Sequence, residues 1–206
     1  MLELLDSPKV YRGYNKNVLT WQTVIDHYDK LITEDGIQLK RLSEMPHKGI
    51  VMYDTDAIKD DLKEINDELS ELVKDTKYSY MTAHLYTSFS TQSGVSGLHK
   101  DPCHIWFWQC IGQSKWTLTH ETKSHWTPPS HGGFHIIRGG TKEKFILDPG
   151  DVLYLPPNTL HDVVPLSPRV GISYGAEIPN QLQHEAHLNV SNEEICTPSE
   201  EELNAL

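Results

Sequence analysis

Only three cysteines occur among the 206 residues, Cys103, Cys110 and Cys196, and no two of them form a C-x-x-C pair. That excludes a disulfide framework and a zinc knuckle, and it predicts reduced thiols. Positive charge is scarce as well: 18 Lys and Arg stand against 29 Asp and Glu, a formal net charge of −11. A nucleic-acid surface needs a basic stripe, so no nucleic-acid partner is expected. An acidic surface is compatible with a cationic substrate and otherwise serves solubility. No apolar run is long enough to span a bilayer, so no membrane partner is expected, and the opening MLELLDSPKVYRGYNK lacks the pattern of a signal peptide. The chain length suits one well-buried core. These absences together predict a cytoplasmic, single-domain protein.

Residues 1–18 read as an extended lead-in with a short strand. From Thr20, the apolar positions Trp21, Val24, Ile25, Tyr28, Leu31 and Ile32 recur at helical spacing until Asp35-Gly36. A short strand is expected over 38–42. Ile58, Leu62, Ile65, Leu69, Leu72 and Val73 form a second helical stripe. Both helices read as scaffold packed on a sheet. From Tyr80 the period becomes two, with Met81, Ala83, Leu85 and Phe89 on one face and Tyr80, Thr82, His84, Tyr86, Ser88 and Ser90 on the other. With helices expected on one side of the sheet, the hydroxyl-rich face is expected to line a polar pocket.

Further short strands are expected over 104–110, 116–119, 144–148, 151–155, 161–165 and 169–175, separated by Gly- and Pro-containing turns. Residues 120–143, rich in Gly, Pro and His, read as an irregular stretch, either a substrate-facing lid or a surface insertion. The tail from Pro179 is polar and acidic, with a short helix expected at Thr197-Pro198. The series predicts a mainly β fold with flanking α-helices, a small barrel or sandwich.

The chemistry is concentrated in Gly97-Leu98-His99-Lys100-Asp101. In a strand, side chains alternate, so His99 and Asp101 point one way and Lys100 the other. An imidazole and a carboxylate on one face are two-thirds of the 2-His-1-carboxylate set that holds Fe(II) and leaves positions open. His161, downstream in GDVLYLPPNTLHDVVP, is placed to be the third ligand. The metal-binding and catalytic candidates are therefore His99, Asp101 and His161. Trp106, Phe107 and Trp108 are candidates for a dry wall around the site, or for plain core.

On these residues the chain resembles the cupin/JmjC-type double-stranded β-helix oxygenases, in the branch of the bacterial ribosomal oxygenases and asparaginyl hydroxylases. Ser88-Phe89-Ser90, His99-x-Asp101, Phe107, Gln109, Gly112, Trp116 and Leu118 carry the likeness. So do Gly150-Asp151, Leu153-Tyr154-Leu155-Pro156-Pro157, His161, Ser173 and Gly175, over roughly residues 80–177. The resemblance implies a double-stranded β-helix (jelly-roll or cupin barrel) that uses Fe(II), the cosubstrate 2-oxoglutarate and O2. It implies a hydroxylase or demethylase acting on a protein side chain or a small molecule. In domain terms it implies one oxygenase domain over 1–206, with a helical scaffold in 1–79, a barrel core in 80–177 and a polar acidic tail in 178–206.

Two departures from the family pattern matter. The basic residue expected two positions after Gly112, to hold the distal carboxylate of 2-oxoglutarate, is Ser114, with Lys115 one place on. The ribosomal oxygenases also carry C-terminal dimerisation and helical domains that this chain does not reach. HDVVPLSPRVGIS instead resembles the end of the prolyl-hydroxylase type, which implies Arg169 with Ser173 as the anchor, the guanidinium making a two-pronged bond. Tyr86 and Ser88 are expected to face the same pocket, so the cosubstrate candidates are Arg169, Ser173, Tyr86, Ser88 and Lys115. Two other readings stay open: a metal-dependent cupin enzyme that does not use 2-oxoglutarate, and a metal-binding cupin module without turnover.

Overall fold

Helix formation begins at Thr20, whose Oγ1 accepts from the Thr23 amide at 3.1 Å and so caps α1 (Trp21–Asp35). The computed structural model describes residues 1–15, 19–35, 50–53, 62–93, 97–120, 123–126, 135–138 and 140–179. Trp21, Val24 and Tyr28 turn inward from α1, while Ile25, counted above in the same stripe, is exposed. Helix α2 (Lys63–Val73) buries Ile65, Leu69 and Val73 at the spacing an amphipathic helix requires, with Leu62 buried just before it. Its Glu68 accepts from the Leu2 amide at 2.9 Å and from the Tyr14 hydroxyl, pinning the N-terminal segment to the helix. The strand expected over 38–42 and the helix at Thr197 lie outside the described residues.

Eleven strands are seen among the described residues: β1 (Lys9–Tyr11), β2 (Ile50–Tyr53), β3 (Tyr80–Ser88), β4 (His104–Ile111), β5 (Ser114–His120), β6 (Lys123–Trp126), β7 (His135–Arg138), β8 (Thr141–Leu147), β9 (Val152–Leu155), β10 (His161–Pro165) and β11 (Arg169–Glu177). They form an antiparallel six-stranded sheet, β1-β9-β4-β11-β3-β2, and a three-stranded sheet, β10-β5-β8. The fold is a double-stranded β-helix with flanking helices. Residues 1–79 are more than helical scaffold, because β1 and β2 close the two edges of the large sheet. Strands β6 and β7 pair as a separate hairpin inside the stretch read as irregular.

Alternation along each strand divides the interior into two cores. Trp106, Trp108 and Cys110 of β4, Val152 and Tyr154 of β9, and Val170, Ile172, Tyr174 and Ala176 of β11 meet the helices. The intervening Ile105, Phe107, Leu153 and Leu155 face the small sheet, where Trp116, Leu118 and Leu147 complete the second core. Gly150-Asp151 supports this arrangement from the edge. The buried Asp151 carboxylate accepts from Arg12 at 2.6 Å, from the Gly13 amide at 2.8 Å and from the Asp148 amide at 3.0 Å. No helix of the described residues is long and apolar enough to cross a membrane.

Candidate metal centre

His161 opens β10, and its backbone meets His99 in an isolated antiparallel bridge. The His99 amide donates to the His161 carbonyl at 3.0 Å, and the His161 amide donates back at 2.9 Å. His99 and Asp101 were expected on a strand. They lie instead in an irregular segment before β4, apart from that single bridge. Asp101 is fixed differently: its carbonyl accepts from the Asn158 amide at 2.7 Å. Asn158 sits in the turn after Pro156-Pro157 with φ of 63°, a conformation that aims its amide at Asp101 and that asparagine tolerates better than most residues.

The side chains converge. Nε2 of His99 lies 3.8 Å from Asp101 Oδ2, and Nε2 of His161 lies 3.6 Å from the same oxygen. One potential ligand atom from each of the three residues falls within 4.8 Å of the others. Two metal–ligand bonds of about 2.1 Å can together span about 4.2 Å, so one ion can reach the carboxylate and either imidazole.

The far ring nitrogens are already committed. His99 Nδ1 lies 2.7 Å from the Gly97 carbonyl and His161 Nδ1 2.9 Å from the Thr159 carbonyl. A carbonyl only accepts, so both Nδ1 atoms carry hydrogen, and neutral rings then offer Nε2 lone pairs to a metal. Burial, and secondly the neighbouring His99, lower the pKa of His161, which favours that neutral form.

The same cavity is lined by Tyr86, Ile105, Phe107, Trp116, Val163, Arg169 and Ser173 besides the three ligand candidates. Arg169 is 2% exposed, and its Nε and Nη1 have no hydrogen-bond partner. Burial pulls its pKa down to about 10, with only the Tyr86 hydroxyl acting the other way, so the group stays charged at neutral pH. An unpaired buried cation beside a cluster of metal-type ligands is costly unless an anion joins it. A carboxylate fits that demand.

The other cosubstrate candidates divide. Tyr86 and Ser173 line the cavity. Ser88 is directly opposite Arg169 in the β3–β11 register but is sealed beneath the lining, with an unpartnered Oγ. Lys115 is not at the cavity. Ser114 and Trp116 take the inward positions of β5, so alternation turns Lys115 outward, opposite Val164 and the half-exposed Ile146.

Ser114 serves another purpose there. Its hydroxyl donates to Gln109 Oε1 at 2.6 Å and accepts from the Trp116 indole at 3.0 Å. Gln109 Nε2 is itself held by the carbonyls of Ile111 and Gly112. The Trp116 ring so fixed stacks on His161 at 5.4 Å and 24°. In the sequence Gln109 and Trp116 stand only as points of likeness and Ser114 only as a departure, because hydrogen bonds among dispersed residues leave no periodic signal.

The three aromatic residues after Asp101 divide between the two readings given for them, core and wall. Trp106 and Trp108 do not wall the site; they face the helices, and only Phe107 of the three reaches the cavity. The space above Gly171, between Arg169 and Ser173 on β11, is taken by the Phe107 ring, whose Cζ would lie 2.1 Å from a Cβ placed on that glycine.

Residues 58–184 match the family model described as the JmjC domain. The chain is 27% identical over 201 residues to ribosomal oxygenase 2 of Rattus norvegicus, covering 92% of this chain and 37% of the relative. The Bos taurus protein of the same name is 26% identical over 196 residues. The chain thus spans little more than a third of the length of these curated relatives. Among solved structures, Escherichia coli ycfD superposes with a TM-score of 0.67 at 18% identity, over 86% of this chain and 51% of that one. A YcfD ribosomal oxygenase structure in complex with cobalt and 2-oxoglutarate superposes with a TM-score of 0.60 at 16% identity, over 96% and 60%. At those identities the structural likeness speaks for the fold.

Proposed function

The chain belongs to the JmjC-domain family, and on that premise we propose that it is an Fe(II)- and 2-oxoglutarate-dependent oxygenase that hydroxylates a protein side chain. One observation carries the cosubstrate assignment: the buried, unpartnered Arg169 guanidinium shares a cavity with His99, Asp101 and His161. In this reading His99, Asp101 and His161 hold the metal, and Arg169 holds the distal carboxylate of 2-oxoglutarate. Tyr86 and Ser173 supply hydroxyls beside that carboxylate. When bound, the metal, 2-oxoglutarate and O2 supply the oxidising power for C–H hydroxylation, with the oxo acid ending as succinate and CO2. The chain's own part is to orient the ligands through the Gly97 and Thr159 carbonyls and to keep water away with Ile105, Phe107, Trp116 and Val163.

The relatives' names support a ribosomal protein as the substrate, and a net charge of −11 suits the approach of a basic partner. In this reading the described barrel and its helices form one catalytic domain. Anaerobic titration of the Fe(II)-loaded protein with 2-oxoglutarate tests it. A visible charge-transfer band that saturates with added cosubstrate is expected. Tight metal binding without such a band would favour a cupin enzyme that does not use 2-oxoglutarate.

A further inference from the structure

The cavity runs from the metal-ligand cluster to Arg169, and one aromatic ring stands beside the path between them. Phe107 lies 4.7 Å from the Trp116 ring, and Trp116 in turn stacks on His161 at 5.4 Å. On its other side, the Arg169 guanidinium carbon sits 5.7 Å from the Phe107 centroid, and the Tyr86 ring is 6.2 Å away. Beneath it the ring rests on bare backbone: a Cβ at Gly171 would fall 2.1 Å from Phe107 Cζ and 2.6 Å from Cε1. Phe107 is buried, with the Gly171 backbone on one side and the Trp116 ring packed against it. His161, Trp116, Phe107 and Arg169 therefore form a continuous packed series linking a metal ligand to the anchoring cation.

We propose that Phe107, seated on Gly171, is a specificity-determining residue that sets the length of the 2-oxo diacid the pocket accepts, admitting five carbons in preference to six. The inference rests on the reading of Arg169 as the distal carboxylate anchor. A diacid chelated at one end and paired with a cation at the other has a fixed span. An extra methylene must bow sideways, and the side available is occupied by the Phe107 ring. Pockets that discriminate by one methylene do so by about 10- to 200-fold.

The test is titration of the Co(II)-loaded full chain with 2-oxoglutarate and with 2-oxoadipate, read from the visible absorption of the metal without turnover. The unaltered protein should bind the five-carbon acid at least about tenfold more tightly. Phe107→Leu should bring the two dissociation constants to within about threefold by opening the side of the path. Gly171→Ala should act in the opposite sense. Its methyl drives the ring into the cavity, weakening 2-oxoglutarate and improving the relative standing of four-carbon oxaloacetate. The double variant Phe107→Leu/Gly171→Ala should recover 2-oxoglutarate binding, since leucine vacates the space the methyl needs.

If Phe107→Leu does not fold, the unbranched Phe107→Met serves for the same ratio. An unchanged ratio, with both acids weakened alike, would overturn the proposal and leave Phe107 as a mere support for Arg169. If the unaltered protein binds Co(II) but neither acid, the reading of the Arg169 pocket itself fails, and this inference fails with it.

Discussion

His99 and His161 exchange both backbone hydrogen bonds, at 3.0 and 2.9 Å, so the main chains of two candidate ligands are locked to each other before any metal arrives. Asp101 is held only through its carbonyl and is a third exposed at its side chain. The carboxylate is therefore the replaceable member of the set. Asp101→Ala should abolish Fe(II) and Co(II) binding, measured by calorimetry, while far-UV circular dichroism stays unchanged. Metal should raise the Tm of the parent protein and leave that of the variant where it is.

Arg169 makes opposite demands on stability and on binding. Burial pulls its folded pKa down to about 10, below its value in the unfolded chain, so above that pH the unfolded chain keeps a proton the folded chain has lost. Below about pH 10 the folded state thus carries the full cost of a buried cation, and that cost fades as pH rises through and beyond the folded value. Arg169→Leu should raise the Tm of the ligand-free protein near pH 7, by about 2–4 °C for each kcal/mol recovered. It should also weaken 2-oxoglutarate by about 100-fold or more, whereas Lys115→Ala changes it less than about twofold. A Tm that falls on Arg169→Leu would show that the guanidinium is satisfied within the protein itself.

The Gln109–Ser114–Trp116 chain predicts a loss of stability. Ser114→Ala strands the Trp116 indole N–H and frees one acceptor of Gln109. Urea unfolding should show a loss of about 1–3 kcal/mol, and Ser114→Thr should restore most of it. The alanine variant should also bind metal less tightly, because the ring stacked on His161 is released.

Asn158 tests the turn. With φ of 63° it should accept glycine with little loss, while Asn158→Val should cost about 1–3 kcal/mol through backbone strain. Because the Asn158 amide positions Asp101, the valine variant should lose metal affinity together with Tm. A variant losing Tm alone would show that the turn does not position the carboxylate.

Much of the barrel was legible because its signals are local. In Tyr80–Ser88 the apolar Met81, Ala83 and Leu85 alternate in sequence with polar residues, although Thr82, Thr87 and Ser88 are buried too, and the β10 bounds follow from the Pro-Asn turn before it and the Ser-Pro turn after it. His99 and Asp101 were legible as a pair although the reason differed: a single bridge and a turn, not a strand, bring them together. Strand β4 was legible as a strand, but its two faces were opaque. In HIWFWQCI both faces are apolar, so period two leaves no trace and nothing distinguishes Phe107 from its tryptophan neighbours. The β6–β7 hairpin was hidden by the Gly, Pro and His around it, and the seat at Gly171 exists only once β11 lies beside β4.

Strand β4 has a consequence for how the protein comes apart. Trp106 and Trp108 on one side and Ile105 and Phe107 on the other make β4 a party wall between the helix-side core and the barrel core. Neither compartment can melt without exposing the wall to water. The amides from Trp106 to Cys110 should accordingly be the last to exchange with deuterium, on the timescale of whole-molecule opening. An injury to the helix side, far from any ligand, should reach the metal pocket as a change in occupancy rather than in shape.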